Sequence, residues 1–114
     1  MILFNRITLV FFVFVTCLNL YAQQSLVFTA ANTDFRNAMD LYQKEKFVPA
    51  QQYFKKAIES FDDVHSEVRI DAEYYAALCA VEMFHANAEP MLKKFIEEHP
   101  ESSHLVSANF NLAK

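Results

Sequence analysis

Glycine is missing from this 114-residue chain. Average usage of about 7% would give roughly eight. Every phosphate loop and dinucleotide turn that needs a residue without a β-carbon is therefore excluded, and so is most two-residue β-hairpin chemistry. Tryptophan is absent as well, and proline occurs only three times. Basic residues form no stripe: the pairs Lys55–Lys56 and Lys93–Lys94 sit among acids, and the formal charge is −4. Nothing in that pattern suggests a nucleic-acid footprint. Turns must be built from Asn, Asp, Ser and Pro, which favours helices with short connections.

Only two cysteines are present, Cys17 and Cys79. Cys17 falls in the N-terminal stretch "MILFNRITLVFFVFVTCLNLYAQQ", where one early positive charge, Arg6, precedes an uncharged apolar run from Ile7 to Leu20. That pattern predicts a secretory signal peptide over residues 1–22 with cleavage after Ala22. The run falls short of the roughly 20 residues that a spanning helix needs, so a permanent anchor is the weaker alternative. Lipid attachment at Cys17 is disfavoured because Thr16, not Gly, Ala or Ser, precedes it. Cleavage would leave Cys79 as the sole thiol and a charge of −5, with no internal disulfide to rely on.

Residues 23–32 are expected to be a linker or N-terminal cap. Thr33 and Asp34 offer an N-cap, and Phe35, Ala38, Met39 and Tyr42 follow at the spacing of one helical face. "KEK" interrupts, and Phe47, Ala50, Phe54, Ala57, Ile58 and Phe61 give a second stripe. A third helix runs from about Glu67 to Phe84 and is apolar nearly all round, which predicts neighbours on several sides. Ala88, Met91, Leu92, Phe95 and Ile96 form a fourth stripe that ends before Pro100. Ser102 or Ser103 can cap a fifth helix, whose expected face is Leu105 or Val106, Asn109, Phe110 and Ala113. Pro49 and Pro90 both fall in first turns, where an amide proton is dispensable.

The two hairpins register on each other. Ala38, Leu41, Ala50, Phe54 and Ala57 correspond to Ala76, Cys79, Ala88, Leu92 and Phe95, each pair 38 residues apart. In this order of small, aromatic and alanine positions the chain resembles the tetratricopeptide repeat family, whose unit is a helix hairpin of about 34 residues. Asp34 and Ala72 depart from it where Trp is common, as do Ala38 and Ala76 for Gly, Leu41 and Cys79 for Tyr, and Asp62 for Pro. The resemblance covers residues 33–114 and implies an all-α fold of antiparallel hairpins stacked as a right-handed solenoid. It would comprise about two and a half repeats: 33–62, 67–100, and the first helix of an incomplete third at 102–114. With the signal peptide, it implies an exported protein of a bacterial envelope, periplasmic or outer-envelope associated.

Catalysis finds little support. Cys79 and His85 lie about 120° apart around one helix axis and cannot converge, so Cys79 is expected to be a packing residue. A small Cys79-dependent enzyme remains the rival reading. His99, Glu101 and His104 in "HPESSH", with Glu97 and Glu98 nearby, lack the spacing of a structural zinc site, so neither metal nor cofactor is expected. Glu73 and Glu82 have no partner at a spacing that suggests acid–base chemistry. The function implied by the family resemblance is non-enzymatic binding of a protein or peptide on the concave face. The groove would be lined by Phe35, Met39, Tyr42, Glu73, Ala77, Asn111 and Lys114. A third reading makes the chain an N-terminal piece of a larger protein whose activity lies downstream, with self-association through the last helix.

Overall fold

The computed structural model describes residues 2–114, with side chains described outside residues 15–28. Five α-helices follow one another: α1 (Ile2–Gln43), α2 (Phe47–Ser60), α3 (Glu67–Glu82), α4 (Ala88–Glu98) and α5 (Leu105–Leu112). No strand occurs among the described residues, and the chain is all-α as expected. Each helix packs on the next in sequence, and α1 also touches α3.

The main departure is α1. No helix starts at Thr33–Asp34: a single helix of 42 residues runs through that point. Thr33, expected as a cap, instead turns its hydroxyl back onto the Thr29 carbonyl at 2.9 Å. The physical reason is local, since no Gly or Pro lies between Ile2 and Gln43 to break the helix, and capping residues are tolerated inside helices when their hydroxyl bonds the preceding turn. Within the stretch expected as linker, Ala31 is fully buried. The early part of α1 is bare: Phe4, Phe11, Phe12 and Phe14 are all exposed, and the molecule extends 76 × 28 × 20 Å. No helix among the described residues is long and apolar enough to cross a membrane. Cys17 and the expected cleavage point after Ala22 fall among residues whose side chains are not described.

The hairpin turns show how a chain without glycine ends its helices. At the end of α1, the Lys46 and Glu45 amides donate to the Leu41 and Tyr42 carbonyls. At the end of α3, the His85 and Phe84 amides donate to the Ala80 and Val81 carbonyls. Both are Schellman closures. Glu45 (φ 59°) and Phe84 (φ 54°) therefore occupy the left-handed conformation that such closures usually assign to glycine. These turns correspond at 39 residues (Leu41 to Ala80, Lys46 to His85), whereas the buried pairs Phe54/Leu92 and Ala57/Phe95 correspond at 38. The second connection places its helix core one residue closer to the turn, so a single 38-residue period does not describe the whole hairpin. Downstream, Pro49 and Pro90 sit third in α2 and α4, and the amides that follow them, Ala50 and Met91, donate to Lys46 and Asn87.

The interior has two clusters on opposite sides of α3. One joins Ala38 to Ala50, Phe54 and Ala57 of α2 and to Ala72, Ala76 and Cys79 of α3. The other joins Tyr74 and Ala77 of α3 to Leu92, Phe95 and Ala108. The alanines bring helix axes close, and aromatic rings fill the spaces between them: Phe54 stacks on Tyr75 at 5.7 Å and meets Phe35 edge-on at 5.9 Å. Burying a ring of this kind stabilises by about 1.5–3 kcal/mol. Gln51 is the one buried polar residue among those described, and its side-chain amide donates to the Ala76 carbonyl at 3.0 Å, tying α2 to α3. Of the face expected for α5, only the Leu105 alternative turns inward. Ala108 is buried with Leu105 and Leu112 half-buried, while Val106, Asn109, Phe110 and Ala113 are exposed. Both stripes have helical spacing. The one carrying a small alanine at its centre allows the closer approach to Tyr74 and Leu92.

Candidate functional site

The expected groove residues do not share one open surface. Ala77 is fully buried against α4 and α5 and is closed to any partner. Phe35 and Met39 are half-buried against the first cluster. Tyr42 packs edge-on against Phe47 at 5.6 Å and Tyr75 at 5.2 Å. Burial, with the nearby Glu82 carboxylate second, pushes the Tyr42 phenol up to about 12. Asn111 donates its side-chain amide to the Ser107 carbonyl one turn back. Lys114 is exposed, its ammonium 4.9 Å from the centre of the Phe110 ring. The accessible remnant of the expected surface thus lies at α5. There Phe110 (64% exposed) stands beside Lys114, and Val106 (81% exposed), four residues earlier on α5, is also without apolar cover.

Cys79 is fully buried. Burial, with Glu82 second, pushes its thiol up to about 12. A nucleophilic thiol needs the opposite shift, toward the thiolate at neutral pH. The packing role expected for Cys79 matches its place in the core.

Polar side chains far apart in sequence converge along one edge of α3. On α3, Glu73 accepts from Arg69 Nε at Oε1 (3.3 Å) and meets His99 Nε2 at Oε2. Arg69 continues the chain, its Nη1 donating at 2.6 Å to the Phe61 carbonyl just past the end of α2, where a cation also complements the helix dipole. Glu98 lies beside this pair, so that one ligand atom each from Glu73, Glu98 and His99 fall within 4.8 Å of one another. Lys94 approaches Glu98 at 3.9 Å. A cavity of about 220 Å³ opens next to the cluster, lined by Lys55, Ile58, Arg69, Ala76, Met91 and Phe95 among others. Glu73, for which no sequence spacing suggested acid–base chemistry, thus has Arg69 and His99 as partners in space.

A second histidine pair lies along the same edge. His104 Nε2 meets Asp71 Oδ1 at 2.7 Å, and the imidazole stacks on Tyr74 at 4.2 Å with the rings 9° from parallel. The Tyr74 hydroxyl in turn pairs with Ser107 Oγ. Ser102, expected to cap α5, accepts instead from the His104 amide (3.1 Å) and shapes the turn that presents this imidazole. A shallow groove of about 850 Å³ runs past both pairs, with His65, Glu67 and Ser103 also on its walls. His99 and His104 both pair with carboxylates, so the site holds oriented imidazoles, and among the described residues no hydroxyl or thiol is hydrogen-bonded to either ring.

One signal could have revealed the first cluster. An antiparallel hairpin centred near His85–Ala86 places Glu73 opposite residues 98–99, whatever their separation in sequence. No family model, curated protein or solved structure matches this chain.

Proposed function

We propose that the chain is an exported, non-enzymatic scaffold that binds a protein or peptide through stacked helix hairpins similar to tetratricopeptide repeats. The observation that carries the reading is the packing order: α1 on α2, α2 on α3, α3 on α4, α4 on α5, with α1 also reaching α3. Assemblies in which each hairpin touches only its neighbours offer long surfaces instead of a closed pocket, and their common use is recognition. The buried Cys79, whose thiol burial keeps protonated, favours this role over chemistry that depends on a Cys79 thiolate. Export is supported by Arg6 ahead of the apolar run and by the exposed Phe4, Phe11 and Phe12, a surface that water does not favour.

The contact surface best supported is the outer face of α5, where Val106 and Phe110 are exposed and the Lys114 ammonium lies over the Phe110 ring. That chemistry suits an amphipathic partner helix with an acidic residue beside its apolar stripe. Affinity capture from an envelope extract, run in parallel with wild-type protein and a Val106→Asp/Phe110→Asp variant, tests the proposal. The expected result is a protein retained by the wild type and lost from the folded variant. Equal recovery by both would contradict the assignment of this face, and recovery by neither would contradict the scaffold role.

A further inference from the structure

We propose that Glu73, Glu98 and His99 form a binding site for a divalent transition-metal ion of the zinc type, which would staple α3 to the end of α4. Their ligand atoms already fall within 4.8 Å of one another. Ligands around tetrahedral zinc stand about 2.0–2.2 Å from the metal and therefore roughly 3.3–3.6 Å apart. The remaining adjustment falls on Glu98, which is half-exposed and which Lys94 approaches at 3.9 Å. The other two ligands are constrained: His99 is nearly buried, packed against the Phe95 ring at 5.1 Å. Glu73 has its second oxygen occupied by Arg69.

This division of labour on Glu73 is what a metal site requires. Arg69 fixes Oε1 from behind and leaves Oε2 directed at His99, as outer-shell partners orient ligating carboxylates. Binding would replace the present contact between His99 Nε2 and Glu73 Oε2 by two metal bonds and release any proton held between them. One imidazole and two carboxylates form a donor set suited to zinc or cobalt. Magnesium and calcium instead take six or more oxygen ligands. Cys79 is buried away in the core and does not compete. Arg69 and Lys94 offset both carboxylate charges, so the site discriminates by donor chemistry and geometry more than by net charge.

The test uses the full chain stripped of metal with a chelator. Zinc at roughly 100-fold excess over its dissociation constant should raise the melting midpoint by about 10 °C or more, and magnesium should leave it unmoved. Cobalt should give the visible absorption of a low-coordinate site. Glu98→Gln alters a largely exposed side chain and should fold normally while losing both responses. His85→Gln, at an exposed position in the α3–α4 turn, should keep them. Competition with a chromogenic zinc indicator reads binding independently of folding, so a destabilised variant still gives an answer. An unmoved midpoint with no indicator competition in the folded wild type would overturn the proposal, as would zinc binding retained in Glu98→Gln.

Discussion

Replacing Phe84 by glycine should make the protein more stable, although it deletes an aromatic ring. Phe84 is 95% exposed, so the ring contributes almost no buried area. Its backbone sits at φ 54°, where a residue with a β-carbon is disfavoured by roughly 1–2 kcal/mol. Glycine removes that strain but adds freedom to the unfolded chain, at a cost of about 0.5–1 kcal/mol. The net expectation is a gain of about 0.5–1 kcal/mol. For a domain of this size that corresponds to a midpoint increase of about 2–8 °C by circular dichroism. Glu45→Gly, at φ 59° in the equivalent turn of the first hairpin, should give a similar gain. Phe84→Val, branched at the β-carbon, should lose stability. A loss of 1 kcal/mol or more in Phe84→Gly would refute the reasoning, because it would mean that the ring makes contacts in solution.

Phe54→Ala should destabilise by about 3–5 kcal/mol in urea unfolding, because a fully buried ring stacked on Tyr75 leaves a cavity between α1, α2 and α3. Alkaline pH should weaken the fold in a defined window. The folded-state pKa of Cys79 lies above its ordinary 9.0, at about 12, and that of Tyr42 lies above 10.0, also at about 12. The stability linked to both groups is therefore fully present below pH 9 and lost as pH rises from about 9 to 12. The Cys79 contribution is on the order of 4 kcal/mol, and Cys79→Ala should flatten the lower part of that decline.

Much of this structure was legible in the residues, for identifiable reasons. Alanines and aromatics recur at helical spacing in α2, α3 and α4, and with short polar breaks between them they left few alternatives for the core. Ala38, Ala50, Phe54, Ala57, Cys79, Leu92 and Phe95 are buried as expected. α1 runs through Thr33–Asp34 because that pair has the composition of a cap but no breaker before it. On α5 two apolar stripes satisfy the same period, and only the tertiary contact with Tyr74 and Leu92 selects Ala108. Periodicity along a chain also carries no information on pairs such as His99–Glu73 and His104–Asp71, 26 and 33 residues apart. Those pairs exist because the chain turns back at His85 and again at Ser102, and the turns had to be placed before the partners could be matched. The groove expected from the family resemblance failed at Ala77 for a related reason. α3 has neighbours on both sides, which leaves few of its small residues exposed.

The assignment of α5 as the contact face of the scaffold stands or falls on whether it meets a partner in the cell. A photo-reactive amino acid introduced in place of Val106 or Phe110, with the same probe at exposed Glu59 of α2 as a control, tests this by crosslinking in intact cells. A discrete adduct at Val106 and Phe110, absent at Glu59, is the result expected. No adduct at any of the three, or the same adducts at all of them, would contradict a binding role for this face.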